Sequence, residues 1–255
     1  GQMVKETEFY YFSPTGGTKK TGEILCRGLS EKIYYNDLMK KTAEESPCCS
    51  DLAVIAAPVF GGRIPSIAAE RIKTLKGSGR KAVTLAVYGN RAYEDGLLEL
   101  NQAAEAAGFE IIASGAFIAR HSMAPEVAKG RPDNKDEQEL LLFAEKILSK
   151  LERNDNSKVV VPGNQPYKSP MTVSVTPISL PDCVLCKTCV SACPAEAITI
   201  EYHSLKTDLS KCILCVRCTA VCPKHARVLP EPFRKATQQK LEKLVSVRTE
   251  NETFL

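Results

Sequence analysis

The sequence predicts a doubly wound α/β domain built on a five-stranded parallel sheet, followed by a small cysteine-rich α+β module. Two observations predict this architecture. The first 150 residues alternate apolar runs with segments of helical periodicity, and eight of the eleven cysteines fall within residues 183–222 in two copies of one spacing. Strands that alternate with helices favour a parallel sheet covered on both faces, with its ligand site at the carboxyl ends of the strands.

Five apolar runs predict strands that are buried on both faces. They cover residues 8–13, 32–37, 52–60, 81–90 and 110–119. Segments with helical periodicity follow four of these runs, at residues 17–30, 66–76, 94–107 and 134–152. The last of these segments begins with acidic residues and ends with basic ones, which is the order that a helix dipole favours.

The composition is typical of a soluble cytoplasmic protein. Hydrophobic residues make up 44% of the chain and charged residues 25%. No apolar run approaches the roughly 20 residues that span a bilayer, and the first residues lack the layout of a signal peptide. We therefore expect neither export nor a membrane partner. In a reducing cytoplasm, regularly spaced cysteines favour metal ligation over disulfide bonds.

The two cysteine runs share the pattern Cys-x2-Cys-x2-Cys-x3-Cys-Pro. The first run, CVLCKTCVSACP, covers residues 183–194, and the second, CILCVRCTAVCP, covers residues 212–223. Structural zinc sites usually pair two Cys-x2-Cys knuckles across a longer loop. Three cysteines at successive three-residue steps instead match bacterial ferredoxins, in which the fourth cysteine of each run ligates the other cluster. Two zinc ribbons or unligated thiols are the alternatives.

Residues 181–229 thus resemble a two-cluster bacterial ferredoxin, which implies two 4Fe–4S clusters with crossed ligands. Set A comprises Cys183, Cys186, Cys189 and Cys222, and set B comprises Cys212, Cys215, Cys218 and Cys193. The chain departs from the common ferredoxin pattern at Lys187 and Val216, where a glycine often follows the second cysteine. We expect this departure to change the hydrogen bonds that the loops make to sulfur.

Three loops at the predicted carboxyl ends of the strands carry residues suited to a cofactor. The first loop is Ser13-Pro14-Thr15-Gly16-Gly17-Thr18, between the first strand and the first helix. Its glycines permit close backbone approach, and its hydroxyls and helix-start amides favour a phosphate. It is neither a Gly-x-Gly-x-x-Gly loop nor a Walker loop. The loop resembles the flavodoxin pattern Ser/Thr-x-Thr-Gly-x-Thr, and residues 4–150 resemble a flavodoxin domain, although small-residue turns also begin helices for structural reasons alone.

The other two loops extend the resemblance to flavodoxin. The second, Pro58-Val59-Phe60-Gly61-Gly62-Arg63, follows the third strand, where a flavodoxin places an aromatic residue and a glycine against the flavin. The third, Tyr88-Gly89-Asn90-Arg91 followed by Tyr93, resembles the flavodoxin loop Gly-Asp-x-x-Tyr in spacing. The resemblance implies an FMN cofactor, a sheet of strand order 2-1-3-4-5, a stacking role for Tyr93, and an asparagine, Asn90, in place of the usual acid.

Isolated residues elsewhere carry weaker signals. His121 follows the fifth strand at the same edge of the sheet, where it could reach a flavin or a substrate. A lone histidine near a loop is more often a surface or packing residue, and we expect that role here. Cys26 is predicted to be a core residue, and Cys48 and Cys49 to be small loop residues rather than a redox pair.

These assignments divide the chain into four parts. They are an FMN-binding domain at residues 1–152, a linker at 153–180, a two-cluster ferredoxin domain at 181–229, and a C-terminal helix and tail at 230–255. The linker is rich in Pro, Ser and Asn, and it is long enough to wrap the first domain. The C-terminal segment predicts one amphipathic helix from Phe233 to about Val247 that packs back on the body.

The charge of the chain argues against nucleic acid as a partner. The formal net charge is +4 with every cysteine counted as neutral. Each oxidised four-iron cluster with its thiolates adds about −2, and the phosphate of FMN makes the loaded protein slightly negative. Several basic residues nevertheless crowd the cluster module: Lys187, Lys211, Arg217, Lys224 and Arg227. They either balance the cluster charge or form a dock for an acidic redox partner, such as a ferredoxin.

The combined resemblance implies a flavodoxin–ferredoxin fusion that relays single electrons between two 4Fe–4S clusters and FMN. Two functions are open. The protein is either an FMN-dependent reductase, with a small substrate near Arg63, Arg91 and His121, or a pure carrier between redox proteins with no small-molecule substrate. A substrate-sized pocket over the flavin favours the reductase, whereas a flat, open flavin edge favours the carrier.

Overall fold

A computed structural model describes residues 1–41 and 50–255, so Cys48 and Cys49 lie outside the described residues. Its first elements alternate strand and helix: β1 Val4–Tyr11, α1 Gly17–Leu29, β2 Ser30–Asp37, β3 Leu52–Pro58, α2 Ser66–Lys73, β4 Lys81–Tyr88, α3 Gly96–Ala106, β5 Glu110–Ile118 and α4 Asn134–Glu152. The five strands are parallel and lie in the order β2-β1-β3-β4-β5. This confirms the predicted doubly wound, flavodoxin-like sheet.

Each face of the sheet buries its own hydrophobic core. In β1, Phe9 and Tyr11 face the core with α1 and α4, while Tyr10, together with Phe12 just after the strand, faces the core with α2 and α3. All seven residues of β3 are buried, as expected for a central strand covered on both sides. A glycine, Gly22, lets α1 approach the sheet, because a Cβ there would lie 2.3 Å from the ring of Phe9.

The segment between α4 and the cysteine-rich module crosses the surface beside α3, and we call residues 155–177 the strap. The carboxylate of Asp95 holds it by accepting the backbone N–H groups of Asn164, at 2.8 Å, and Lys168, at 2.6 Å. Near its end, Met171 packs against the turn at Gly61, where a Cβ would meet the methionine side chain at 3.1 Å. The strap therefore runs from α3 to the carboxyl edge of the sheet.

The cysteine-rich module consists of two short helices and two small antiparallel sheets. The sheets pair β6 Ile178–Ser179 with β9 Arg227–Val228, and β7 Ile198–Glu201 with β8 Ser204–Thr207. The helices are α5 Thr188–Ala192 and α6 Arg217–Val221, each beginning inside one cysteine run. The small α+β domain predicted from the sequence is thereby confirmed.

The C-terminal segment returns to the first domain. After α7 Glu231–Leu241 and a 3-10 turn at Glu242–Leu244, the chain forms a short strand, β10 Glu252–Phe254. This strand pairs antiparallel with β5 and becomes the sixth strand of the main sheet. The helix ends at Leu241 rather than near Val247, and the tail covers one edge of the sheet. No helix in the described part of the chain combines the length and the apolar character needed to cross a membrane.

Candidate cofactor sites

A cavity lies at the carboxyl edge of the sheet, beyond the ends of β1, β3, β4 and β5. Its wall contains residues from all three predicted loops: Thr15, Gly17, Thr18, Pro58, Val59, Phe60, Gly61, Tyr88, Gly89 and Arg91. Further wall residues from the same edge are Val87, Ala92, Ala119, Arg120, His121, Ser122 and Met123. Met171 of the strap and Leu214 of the second cysteine run complete the wall. The loop after β5 and these two distant residues were not predicted as cofactor contacts.

The first loop forms an anion cradle at the start of α1. Gly16 takes a left-handed conformation, with φ of 96°, directly before the helix. The hydroxyl of Ser13 accepts the N–H of Lys19 at 3.0 Å, so Ser13 braces the turn instead of lining the cavity. The helix itself offers no partner to its first amides, those of Gly17 and Thr18. Together with the dipole of α1, these amides on the cavity wall suit a phosphate group.

Gly62 and Arg63 of the second loop turn away from the cavity. Left-handed conformations at Gly61 and Gly62 reverse the chain, with φ of 57° and 82°. The Arg63 guanidinium then makes two parallel hydrogen bonds to the carboxylate of Glu99, at 2.9 and 2.7 Å, and donates to the carbonyl of Lys168 at 2.8 Å. The Arg63 guanidinium therefore holds the strap against α3, and its predicted place beside a flavin stays a prediction.

Asn90 and Tyr93 of the third loop also lie away from the cavity wall. The Asn90 amide donates to the carbonyl of Val247 at 2.7 Å and accepts the N–H of Thr249 at 3.1 Å. Tyr93 is buried, packs edge-on against Tyr88, and donates to Glu252 at 3.0 Å. Tyr93 is therefore held by the C-terminal segment and is not among the wall residues, and its stacking on a flavin stays a prediction.

His121 lies on the cavity wall with its ring orientation fixed by the backbone. Its Nδ1 accepts the N–H groups of Met123 and Ala124, both at 3.1 Å. An atom that accepts two hydrogen bonds carries no proton, so the proton of the neutral ring resides on Nε2. Burial and the nearby charge of Arg91 lower the pKa of His121. The side chain therefore offers a neutral N–H donor in a cavity where we had expected only a packing or surface role.

Two cavities in the cysteine-rich module, each of about 20 Å³, are lined by four cysteines apiece. All four cysteines of set A line the first cavity, and all four cysteines of set B line the second. The structure therefore brings together the crossed sets, with Cys222 beside the first run and Cys193 beside the second. The thiols surround a volume and not a point: in residues 1–41 and 50–255, no three His, Cys, Asp or Glu side chains could hold a single metal ion.

Matching backbone conformations shape the two cysteine loops. Leu185 and Leu214 have φ of 56° and 55°, and Lys187 and Val216 have φ of 68° and 54°. Lys187 and Val216 occupy the positions where ferredoxins often have glycine. A left-handed backbone conformation at these positions explains that preference, because glycine adopts it without strain. Val216 holds this conformation at a cost on the order of 1–3 kcal/mol. The resulting loops direct N–H groups toward sulfur, as between Leu214 and Cys212 at 3.4 Å.

Unpaired polar atoms in the module fit an anionic occupant of these cavities. Within the described residues, the buried atoms without a hydrogen-bond partner are Thr7 Oγ1, Arg217 Nε, Thr219 Oγ1 and Arg227 Nε. Three of these four belong to the cysteine-rich module, and both arginines line a cysteine cavity. Iron–sulfur clusters with four thiolates carry net negative charge, so the residues present fit such groups.

Set B adjoins the carboxyl edge of the sheet. Leu214 lines the cavity at the sheet edge, and the flanking Cys212 and Cys215 line the cavity of set B. Arg217 donates to the carbonyl of Pro14 at 3.1 Å, which joins α6 to the phosphate-type loop. Arg71 of α2 makes a second bridge, because it donates to the carbonyls of Leu38 and Pro194. In set A, by contrast, Cys186 is exposed.

A comparison with known protein families matches the cysteine-rich segment. Residues 182–226 match the family model described as 4Fe-4S dicluster domain. The chain joins a flavodoxin-like fold to a 4Fe–4S dicluster segment. The match supports iron–sulfur groups in the cysteine-rich segment. No curated protein matches the chain.

Solved structures resemble the N-terminal part at low identity. A flavodoxin from the domain Archaea is 12% identical, with 58% of this chain and 99% of that chain covered and a TM-score of 0.41. Flavodoxin 2 from Bacillus cereus is 14% identical, with 57% and 99% covered and a TM-score of 0.44. The rubredoxin oxygen:oxidoreductase from Desulfovibrio gigas is 13% identical, with 60% and 37% covered and a TM-score of 0.42. The fold assignment rests on the strand order and not on these scores.

Proposed function

We propose that this chain is an electron-transfer protein that holds one FMN at the carboxyl edge of the sheet and one 4Fe–4S cluster in each cysteine set. One observation carries the proposal: Leu214 belongs to the wall of the sheet-edge cavity, while Cys212 and Cys215 on either side of it line the cavity of set B. When bound, a flavin exchanges one or two electrons and each cluster exchanges one. Two redox sites that share a loop suit electron transfer between them.

The residues on the cavity wall divide into two groups by chemistry. Thr15, Thr18 and the first amides of α1 would hold the phosphate of FMN. The apolar and aromatic residues Phe60, Met171 and Leu214 would enclose the flavin ring and exclude water from it. Since two of these three come from outside the first domain, the strap and the cluster module would both help to retain the flavin.

The placement of the two cysteine sets supports an order for the sites. Set B adjoins the sheet edge, and Cys215 and Cys218 are buried. Set A is farther from that edge and has an exposed thiol at Cys186. We therefore infer that electrons exchanged with an external protein pass first through set A and then through set B to the flavin site.

The exterior of set A supports the choice of an acidic redox protein as the partner. Lys187 and Lys224 are exposed beside this set and line its cavity, and Val184 on the same cavity wall adds an exposed apolar side chain. Arg217 and Arg227 are directed inward and do not belong to this patch. A cationic rim around an apolar contact would attract an acidic partner, such as a ferredoxin.

A second candidate function, FMN-dependent reduction of a small molecule, is favoured by the far wall of the cavity. Arg91, Arg120 and His121 contribute polar groups there that a pure carrier would not require. The neutral His121 side chain could donate a hydrogen bond to a carbonyl or carboxylate oxygen of a substrate. The pure carrier, with no small-molecule substrate, is the remaining alternative.

Analysis of the anaerobically purified protein tests the proposed function directly. We expect about eight irons and eight acid-labile sulfides per chain, as two four-iron clusters require, together with one FMN. The visible absorbance of the iron–sulfur clusters and that of the flavin should both bleach when the protein is titrated with a chemical reductant. Two zinc ions per chain with no sulfide would contradict the proposal.

A further inference from the structure

The internal repeat of the cysteine-rich module differs at one buried position. Counted from the fourth cysteine of each run, Cys193-Pro194-Ala195-Glu196-Ala197 leads to Ile198, whereas Cys222-Pro223-Lys224-His225-Ala226 leads to Arg227. Both residues begin a strand and both are buried, with exposed fractions of 4% and 2%. Ile198 lines the cavity of set B, and Arg227 lines the cavity of set A. The chain thus places a cation where its own repeat places an apolar side chain.

The partners of Arg227 leave its charge uncompensated. Its two terminal nitrogens donate to the hydroxyls of Ser179, at 3.0 Å, and Thr207, at 2.8 Å, and Nε has no partner. No carboxylate in residues 1–41 and 50–255 forms an ion pair with it. Burial of a charge without a counter-charge is strongly unfavourable. An anion must therefore lie nearby in the loaded protein.

The cysteine thiolates are the nearest candidates for that anion. Nη2 of Arg227 lies 3.8 Å from Sγ of Cys218, which belongs to set B, while the same side chain lines the cavity of set A. The guanidinium thus lies between the two sets and within reach of both. An arginine keeps its charge at any ordinary pH, so this charge is constant in every redox state of the protein.

We propose that Arg227 is a buried counter-charge that raises the reduction potentials of both clusters. The inference rests on the proposed function, in which each set holds a four-iron cluster. Each cluster gains one electron on reduction, with no bond made or broken, and becomes more negative by one charge. A fixed cation stabilises the more negative form more strongly, and low polarity around a buried group enlarges the difference.

A potentiometric titration of the full chain, monitored by EPR with dithionite as reductant, tests this role. In Arg227→Gln, and in Arg227→Ile, which copies the internal repeat, both midpoints should become more negative. At the wild-type midpoint the ratio of reduced to oxidised cluster should fall about tenfold, which is 59 mV for one electron. Arg227→Lys should retain most of the potential. Lys224→Gln, a control that removes an exposed charge beside set A, should have a much smaller effect because solvent screens it.

A second pair of variants retains Arg227. It tests the effect of the Arg227 charge on the midpoints even if replacement of the arginine prevents cluster assembly. Ser179→Asp places a carboxylate beside Arg227, and Ser179→Asn places a neutral side chain of the same shape there. The aspartate should lower both midpoints relative to the asparagine. Equal midpoints in these two variants, or an unchanged midpoint in Arg227→Gln with intact clusters, would overturn the role of Arg227 alone. Wild-type protein without iron and sulfide would instead overturn the proposed function on which it rests.

Discussion

At the scale of single residues, the backbone fixes what some side chains can do. His121 receives two amide hydrogen bonds on Nδ1, and burial with the charge of Arg91 lowers its pKa. Such a ring is neutral at pH 7 and cannot release a proton easily, because the neutral ring would have to become an anion. It therefore acts as a hydrogen-bond donor rather than as a general acid.

The first prediction concerns the protonation of His121. We expect nitrogen NMR to show a neutral ring with its proton on Nε2, and this ring should resist protonation below the ordinary pKa of about 6.5. Since the unfolded state takes up this proton first, the stability of the fold is complete above that pH and declines as the pH falls. His121→Gln should reduce the decline between pH 7.5 and 5.5 in urea unfolding. A doubly protonated ring at pH 7 would contradict the assignment.

The second prediction concerns the hydroxyl of Thr18, a buried residue on the cavity wall at the start of α1. Thr18→Ala should weaken FMN binding by about 1.5–3 kcal/mol, the range for a hydrogen bond to a charged group. Riboflavin, which lacks the phosphate, should bind with nearly unchanged affinity. Thr74→Ala, at the remote end of α2, serves as the control. Equal losses for both flavins, measured by fluorescence titration, would place the phosphate elsewhere.

At the scale of elements, the strap shows how an irregular segment is held without secondary structure. One carboxylate, Asp95, accepts two of its backbone amides, and these bonds lower the pKa of Asp95. Arg63 adds a third attachment through Lys168. Because Met171 of the strap lies on the cavity wall, the attachment of the strap beside α3 affects the site at the sheet edge.

The third prediction is that Asp95→Ala releases the strap. Each lost bond to the charged carboxylate is worth about 1.5–3 kcal/mol, so amide hydrogen exchange should accelerate across residues 163–169. Glu94→Gln is the matched control, because it removes only exposed ion pairs, those to Lys168 and Arg91, each worth about 0–1 kcal/mol. In the wild type, the lowered pKa of Asp95 means that its ionised carboxylate stabilises the attachment fully at any pH above the ordinary carboxyl pKa. This stabilisation is lost as the pH falls through the pKa of the folded state. Unchanged exchange in Asp95→Ala would show that other contacts hold the strap.

The elements also show which features the sequence could predict. The parallel strands and the cysteine loops depend on local sequence patterns. The order of the strands and the meeting of the four cysteines in each set could therefore be predicted. Arg63, Asn90 and Tyr93 were assigned to the flavin because each follows a strand in a flavodoxin-like loop. In the structure their side chains bond to Glu99 and to the C-terminal residues 244–252, and their flavin contacts stay predictions. The local sequence does not predict these long-range contacts. The strand β10 is only three residues long, which is too short for an alternating pattern to indicate a strand.

At the scale of the whole molecule, two modules with separate folds share one functional edge. The contacts that join them are Leu214 on the cavity wall, the bond from Arg217 to Pro14, and the bridge from Arg71 to Pro194. All of these reach the second module at or beside set B. Set B thus lies at the contact with the first domain and set A has an exposed thiol, which is the arrangement that the proposed relay requires.

The last prediction tests both the crossed ligands and the order of the sites. Cys193→Ser should damage only the set B cluster, although Cys193 is a sequence neighbour of the set A cysteines, and should leave about four irons per chain. Cys222→Ser is the reciprocal control, because it should damage the set A cluster. With set B interrupted, a reduced partner protein should still bleach the remaining cluster, whereas flavin bleaching in stopped-flow experiments should slow strongly. If the flavin of Cys193→Ser bleached at the wild-type rate, electrons would reach the flavin without set B. Loss of the set A spectrum instead would mean that each run binds its own cluster, despite the crossed cavities that the four thiols of each set enclose.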